Sequence, residues 1–245
     1  LRDLYLKIGM KKSKTSVVLA GSNVDIFNDQ NSNIFDKNKK VKIVTHHWSS
    51  HENKGFKIYK KLDEMLTQNS WKDLIEFTYI GNTSEDYKLN NTTIIPPLAG
   101  KELADELKKH HIYITASINE PSGNHHIEAA QCGLPILYLE SGGIPEYCDG
   151  FGVGFNENFE DKLKLIIDKF EIYKEKMKDY PFNSEKMCEE FFTIFTDLIK
   201  NKKDMPSNNL GVISYLFLFK NKLNKFARRD ILSKLKNIIK RRVSK

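Results

Sequence analysis

Ser117-Ile118-Asn119-Glu120-Pro121-Ser122-Gly123-Asn124-His125-His126-Ile127-Glu128-Ala129-Ala130-Gln131-Cys132-Gly133-Leu134-Pro135 is the stretch in which the fold can be read. A β-type run at 112–115 ends just before it. A loop with a carboxylate and a glycine follows, and the spacing then predicts a short helix over about 124–131. Gly133 fits the position just past a helix end, and 134–139 reads as a buried strand. Strand, loop, helix and strand in this order make a βα unit.

The same alternation continues outward. Residues 16–20 read as a strand ending at Gly21, 41–44 as a second, and 55–68 as a helix with Phe56, Tyr59, Leu62 and Leu66 on one face. Strands follow at 75–80 and 93–95, the latter stopped by Pro96-Pro97, with helices at 101–110, near 159–177 and at 184–200. The expected fold class is therefore α/β, a Rossmann-like parallel sheet with helices on both faces, plus a basic helical C-terminal tail. In such folds ligands sit at the carboxyl ends of strands. There, helix N-terminal amides form a ready anion site. Glu120 lies in the loop before the helix and Glu128 about one turn inside it. Two carboxylates beside an anion site suit a ligand with both hydroxyls and a phosphate, as in a sugar nucleotide.

Composition sets the outer limits. The chain has 245 residues, 40% hydrophobic and 29% charged, which is ordinary for a protein with a real core. No run of about 18 apolar residues is present to span a membrane as a helix. Cys132, Cys148 and Cys188 are scattered and odd in number, implying no disulfide framework and a reducing, cytoplasmic setting. The net charge of +7 is unevenly placed: residues 220–245 carry eleven basic side chains against one acid, Asp230. Leu223, Phe226, Ile231, Leu232, Leu235, Ile238, Ile239 and Val243 recur there at helical spacing. A basic amphipathic helix of this kind suits an anionic membrane surface. Packing of 210–219 against another domain, with a solvated basic end, is the alternative. A nucleic-acid arm would lack an aromatic stacking platform, and no nucleic-acid partner is expected.

Several of these motifs together resemble family 4 glycosyltransferases, which are retaining enzymes of the GT-B fold. The resemblance rests on Glu120 and Glu128 at Glu-x7-Glu spacing, with Ser117 before, Gly123 within and Ala129-Ala130-x-x-Gly133-x-Pro135 after. Asn53-Lys54-Gly55 is similar to the family's phosphate-binding Lys-Gly, 77–82 to its strand ending in Gly-Asn, and Gly142-Gly143-x-x-Glu146 to its Gly-Gly-x-x-Glu. Gly21-Ser22-Asn23-Val24-Asp25 with Phe27 is similar to its element at the join between domains.

The resemblance implies a nucleotide-diphosphate sugar as donor and a glycan or lipid-linked acceptor. Glu128 would hold the ribose and Glu120 the transferred sugar, while amides of Ser122, Gly123 and Asn124 meet sugar and diphosphate. Lys54, at the Gly55 helix start, would neutralise the leaving diphosphate, and the base would lie near Leu98. No metal or other cofactor is expected, because Lys54 and the helix terminus supply the positive field. The implied organisation is 1–35 as remnant of an N-terminal domain and join, 36–200 as the nucleotide-sugar-binding domain, and 201–245 as the tail. On that reading the chain is the donor-binding half of the enzyme, cytoplasmic and, through its tail, peripheral to the inner membrane face.

One position departs from the family pattern: Ser49 stands where an Arg is usual, and the only arginine before residue 228 is Arg2. The clamp would then rest on Lys54, the Ser49 and Ser50 hydroxyls and loop amides, with His51 as a further candidate. His47 and His51 lack the Glu of a His-Glu-x-x-His zinc helix. His125 and His126 flank the donor loop, where they either touch donor or acceptor or pack at an interface. Gly150 to Gly154 lacks the spacing of a dinucleotide fingerprint. A module that binds a nucleotide sugar without transferring it is the alternative reading of the same residues.

Overall fold

The computed structural model of the chain describes residues 2–36, 38–83 and 86–200. The basic tail at 201–245 lies outside the described residues. The sheet and its packing belong to the unit Leu1–Ile194. Six strands, β1 (Val41–His47), β2 (Ile75–Gly81), β3 (Thr93–Ile95), β4 (Ile112–Thr115), β5 (Ile136–Leu139) and β6 (Gly152–Phe155), form one parallel sheet in the order β3-β2-β1-β4-β5-β6. The order runs outward in both directions from the β1–β4 pair. That pair is the topological switch point, where doubly wound sheets open a ligand crevice at the carboxyl ends of their strands.

The inner strands β1, β2, β4 and β5 are largely buried on both faces and divide their side chains by alternation. Val41 and Ile43 of β1, Phe77 and Tyr79 of β2, Ile112 and Ile114 of β4 and Leu137 of β5 face one cluster. It includes Phe56, Tyr59, Leu62 and Met65 of α2 (Phe56–Met65), Leu163 and Ile166 of α6 (Phe159–Asp168) and Phe170 of α7 (Phe170–Lys176). Val44, Ile80, Tyr113 and Ile136 face the other cluster, with Leu103 and Leu107 of α3 (Gly100–Leu107), Ile127 and Ala130 of α4 (Asn124–Gln131) and Tyr147 and Cys148 of α5 (Pro145–Cys148). Of the remaining helices, α1 spans Arg2–Lys7 and α8 spans Ser184–Lys200. No helix among the described residues is long and apolar enough to cross a membrane.

The α/β Rossmann-like sheet expected from the sequence is present, with several local corrections. The segment 16–20 has no regular secondary structure and lies outside the sheet. The Ala20 amide donates to the Tyr147 hydroxyl at 3.1 Å, and Ser22 makes a single bridge to Asn183, so no ladder is left for it to join. The first strand runs three residues past Val44, to His47, because Thr45, His46 and His47 pair in register with Tyr79, Ile80 and Gly81. The glycine-rich segment near 152 is a strand. A side chain on Gly152 would collide with the Ile136 carbonyl of the neighbouring strand, so glycine there marks close backbone approach. The helix expected near 159–177 breaks at Lys169, whose φ of −104° and ψ of 21° separate α6 from α7.

One buried polar cluster positions the far edge of the sheet. Asp63, near the end of α2, accepts from the amides of Asn90 and Asn91 at 3.1 and 2.8 Å and from the Thr92 hydroxyl at 2.6 Å. The chain is thereby pinned where it enters β3 and turns toward Leu98.

Candidate functional site

The loops after β1 and β4 bring the two halves of the predicted site together. Lys54 follows β1 in a single 3-10 turn, and Gly55 then starts α2 with φ 97° and ψ 20°. A Cβ at Gly55 would lie 2.5 Å from both Cβ and carbonyl oxygen of Ala116, so backbone conformation and packing both require glycine. The Ile118 amide donates to the Asn53 carbonyl at 2.8 Å, which joins the two loops directly. As a result Lys54 Nζ lies 2.6 Å from Glu120 Oε2. The residues assigned to diphosphate and sugar are thus an ion pair at the crevice mouth.

The 119–123 loop is held from its other side by the paired glycines. The Gly143 amide donates to the Glu120 carbonyl at 2.8 Å, and the Asn119 amide donates to Ser141 Oγ at 2.9 Å. Asn119 takes a left-handed φ of 54°. A Cβ on Gly142 (φ 64°) would stand 2.5 Å from the Glu120 carbonyl oxygen. The Gly-Gly pair therefore acts by letting one loop lie against another.

Helix α4 begins at Gly123 without a side-chain cap, so its first amides are left for a ligand or water. Ser122 Oγ lies 2.9 Å from the Tyr147 hydroxyl. Glu128, one turn in, is held by a residue of β1: His46 Nε2 lies 3.1 Å from its Oε2. The exposed Ser49 and half-buried Ser50 lie in the loop after β1. Ser49 Oγ accepts from the His51 amide at 3.2 Å, and His51 Nδ1 accepts from the Asn53 amide at 3.2 Å as the N-cap of the 3-10 turn. Leu98 packs against the second core cluster just before α3. A cavity of about 1030 Å³ opens beside Asn119, Pro121, Ser122, Gly142 and Tyr147, with 14–19 as its other wall. A second, of about 410 Å³, lies at the amino end of β1 beside Lys42, away from the ligand ends of the strands.

Beneath the crevice lies a floor of histidines and tyrosines, of which the sequence reading singled out His125 and His126 as flanking the donor loop but did not place His47 or Tyr59 there. The Tyr59 hydroxyl accepts from the Ala116 amide at 3.1 Å and from Thr45 at 3.3 Å, and lies 2.8 Å from His47 Nε2. His125 Nε2 lies 3.0 Å from Thr115 Oγ1, with its ring centroid 4.8 Å from that of His47. His126 is fully buried, edge-on to Tyr147 at 5.2 Å between centroids. Burial, with the neighbouring His46, lowers the His126 pKa to about 3. Burial, with nearby histidines and Lys54, takes His47 and His125 well below the usual imidazole range. Desolvation pushes the Tyr59 phenol up to about 12. His47, His125, His126 and Tyr59 are thus neutral near pH 7. The signal in the sequence was Thr45-His46-His47 itself, which a strand carried to residue 47 would have turned inward. Among the described residues no group of three or more His, Cys, Asp or Glu is arranged to hold a metal ion.

The fold is that of a Rossmann-like α/β domain with the candidate site at the switch point. A sequence profile described as glycosyl transferases group 1 matches residues 28–187, and the chain belongs to that family. No curated protein matches the chain in sequence. Among solved structures it is similar to the sucrose-phosphate synthase of Thermosynechococcus elongatus, at 16% identity and a TM-score of 0.60 over 81% of this chain and 56% of that one. A glycosyltransferase from Rickettsia africae matches at 18% identity and 0.59, over 78% and 59% of the two chains. Anabaena HepE in complex with UDP-glucose matches at 14% and 0.59, over 80% and 61%. The chain therefore spans less than two thirds of each of these three structures, and at these identities the likeness concerns the fold.

Proposed function

We propose that this chain is the donor-binding half of a retaining, family 4 type GT-B glycosyltransferase, taking a nucleotide-diphosphate sugar for transfer to a glycan or lipid-linked acceptor. The observation that carries the proposal is the convergence of Lys54, Glu120, Glu128 and the uncapped start of α4 on one crevice at the β1–β4 switch point. Lys54 and the α4 amides meet the diphosphate, and their positive field stabilises the charge that develops as it leaves. For this to happen Lys54 exchanges its Glu120 partner, at least in part, for phosphate oxygens. The released Glu120 carboxylate then accepts from sugar hydroxyls. Glu128 accepts from the ribose hydroxyls, and the base lies toward Leu98. No resident metal or cofactor forms part of the proposal. Ser49, where the family pattern has Arg, leaves the phosphate clamp to Lys54, the Ser49 and Ser50 hydroxyls, His51 and backbone amides.

A second reading is favoured by that same position: a clamp without Arg suits a module that holds the nucleotide sugar without transferring it. In either reading the domain is 36–200, preceded by a join at 1–35. The tail at 201–245 would attach it to an anionic cytoplasmic membrane face, each basic residue near the surface contributing roughly 1 kcal/mol.

Calorimetric titration with UDP, GDP and their hexose conjugates tests the proposal. One nucleotide should bind selectively, and Glu128→Ala should weaken it by roughly 2 kcal/mol, as for hydrogen bonds to a charged group. Unchanged affinity in that variant would displace the site. Sugar transfer by the chain joined to an acceptor domain would eliminate the second reading.

A further inference from the structure

We infer that His46 is a positioning residue of the nucleotide site, which aims the Glu128 carboxylate by engaging one of its two oxygens. This rests on the assignment of Glu128 to the ribose. His46 lies near the end of β1 with its side chain 9% exposed, and its Nε2 is 3.1 Å from Glu128 Oε2 on α4. Among the described residues no donor reaches the other oxygen, Oε1. The ring is fixed from the sides, edge-on to Tyr113 at 5.5 Å and to His125 at 6.2 Å between centroids. The main chain of His46 is held too, its amide donating to the Tyr113 hydroxyl at 3.2 Å. These contacts hold the imidazole beside the Glu128 carboxylate.

The bonding fixes the tautomer. An ionised carboxylate requires a donor, so the ring proton sits on Nε2. His46 Nδ1 is buried without a partner, which leaves Nε2 as the nitrogen that bonds. The ring thus meets Glu128 Oε2 as an N–H donor from Nε2. A ribose offers two adjacent hydroxyls, and it is recognised by a carboxylate whose free oxygen points at both. Without His46 the Glu128 side chain, which is 22% exposed, regains its rotamers, and the ordering falls on the binding step.

The inference predicts a loss confined to ribose recognition. The test is calorimetric titration of the full chain with the nucleoside diphosphate it prefers, UDP or GDP, and with the 2′,3′-dideoxy form of each. The wild type should prefer the ribonucleotide, and His46→Ala should lose about tenfold in its affinity while binding the dideoxy form as before. His46→Gln, whose amide N–H can reach the position of Nε2, should recover most of the preference. His46→Met, similar in size but without a donor, carries the test if the alanine variant fails to fold. A donor-less variant that melts like the wild type and keeps the full preference overturns the inference. If Glu128→Ala also keeps it, the ribose assignment itself falls, and with no nucleotide binding by the wild type both readings fall.

Discussion

The two loops that meet in the crevice reach the same end by different physics. Both helices, α2 and α4, start at a glycine with no side-chain cap. At Gly55 the backbone imposes the choice: φ is 97°, and the obstacle to a Cβ is the main chain of Ala116. At Gly123 φ is −94°, open to any residue, and the obstacles are the ring of His125 and, at 3.1 Å, Glu120 Cγ. The first glycine belongs to the fold and the second to the site. A motif glycine can therefore be essential for two separable reasons, and substitution tells them apart.

The largest effect should come from Gly55→Ala, which combines left-handed strain with a backbone collision and should cost about 3 kcal/mol in urea unfolding. If it were tolerated, the loop after β1 would have to be set otherwise. Tyr59→Phe, which leaves the buried Ala116 amide without its acceptor, should cost about 2 kcal/mol by the same measurement. Acid should then separate the floor from its rim. His47, His125 and His126 have folded pKa values below those of the unfolded chain, so they contribute full stability above about pH 6.5. Below that, unfolding takes up protons, and each such histidine removes about 1.4 kcal/mol per pH unit until its folded pKa is reached. The urea midpoint followed from neutral to mildly acidic pH should fall accordingly, and His126→Phe should lower the slope by one proton. An unchanged slope would mean that His126 is not held neutral. A smaller stability change, below about 1 kcal/mol, should be that of Gly123→Ala, because side chains can shift where backbone cannot. Its nucleotide affinity should nonetheless fall several-fold, since the shift displaces Glu120 and His125. Lys54→Met sharpens the contrast: its stability should be close to wild type, but diphosphate binding should be largely lost.

Much of the fold was legible because parallel strands buried on both faces read as apolar runs, and glycines and prolines mark where they stop. The Lys54, Glu120 and Glu128 positions were legible for a related reason: each lies at a fixed offset from a strand end, where topology gathers loops. Segment 16–20 misled because an apolar run can pack without joining a ladder: the Ala20 amide bonds the Tyr147 hydroxyl instead of a strand. The strand at Gly152 was missed because two glycines hide a period-two pattern, although close approach to Ile136 requires one of them. Thr45, His46 and His47 were read as loop because polar residues seldom continue a buried strand.

Order along the chain was enough for the α/β alternation, the crevice end of the sheet and the residue types around it, since these depend on local periodicity and on the direction of a βα unit. The partners were decided only in three dimensions. Residues 54 and 120, or 46 and 128, have no relation along the chain until β4 is placed beside β1. That placement makes Lys54 the partner of Glu120 and His46 the partner of Glu128, and it closes a neutral floor of histidines and tyrosines beneath them. Hydrogen bonds act over about 3 Å, and strand pairing determines which side chains come that near.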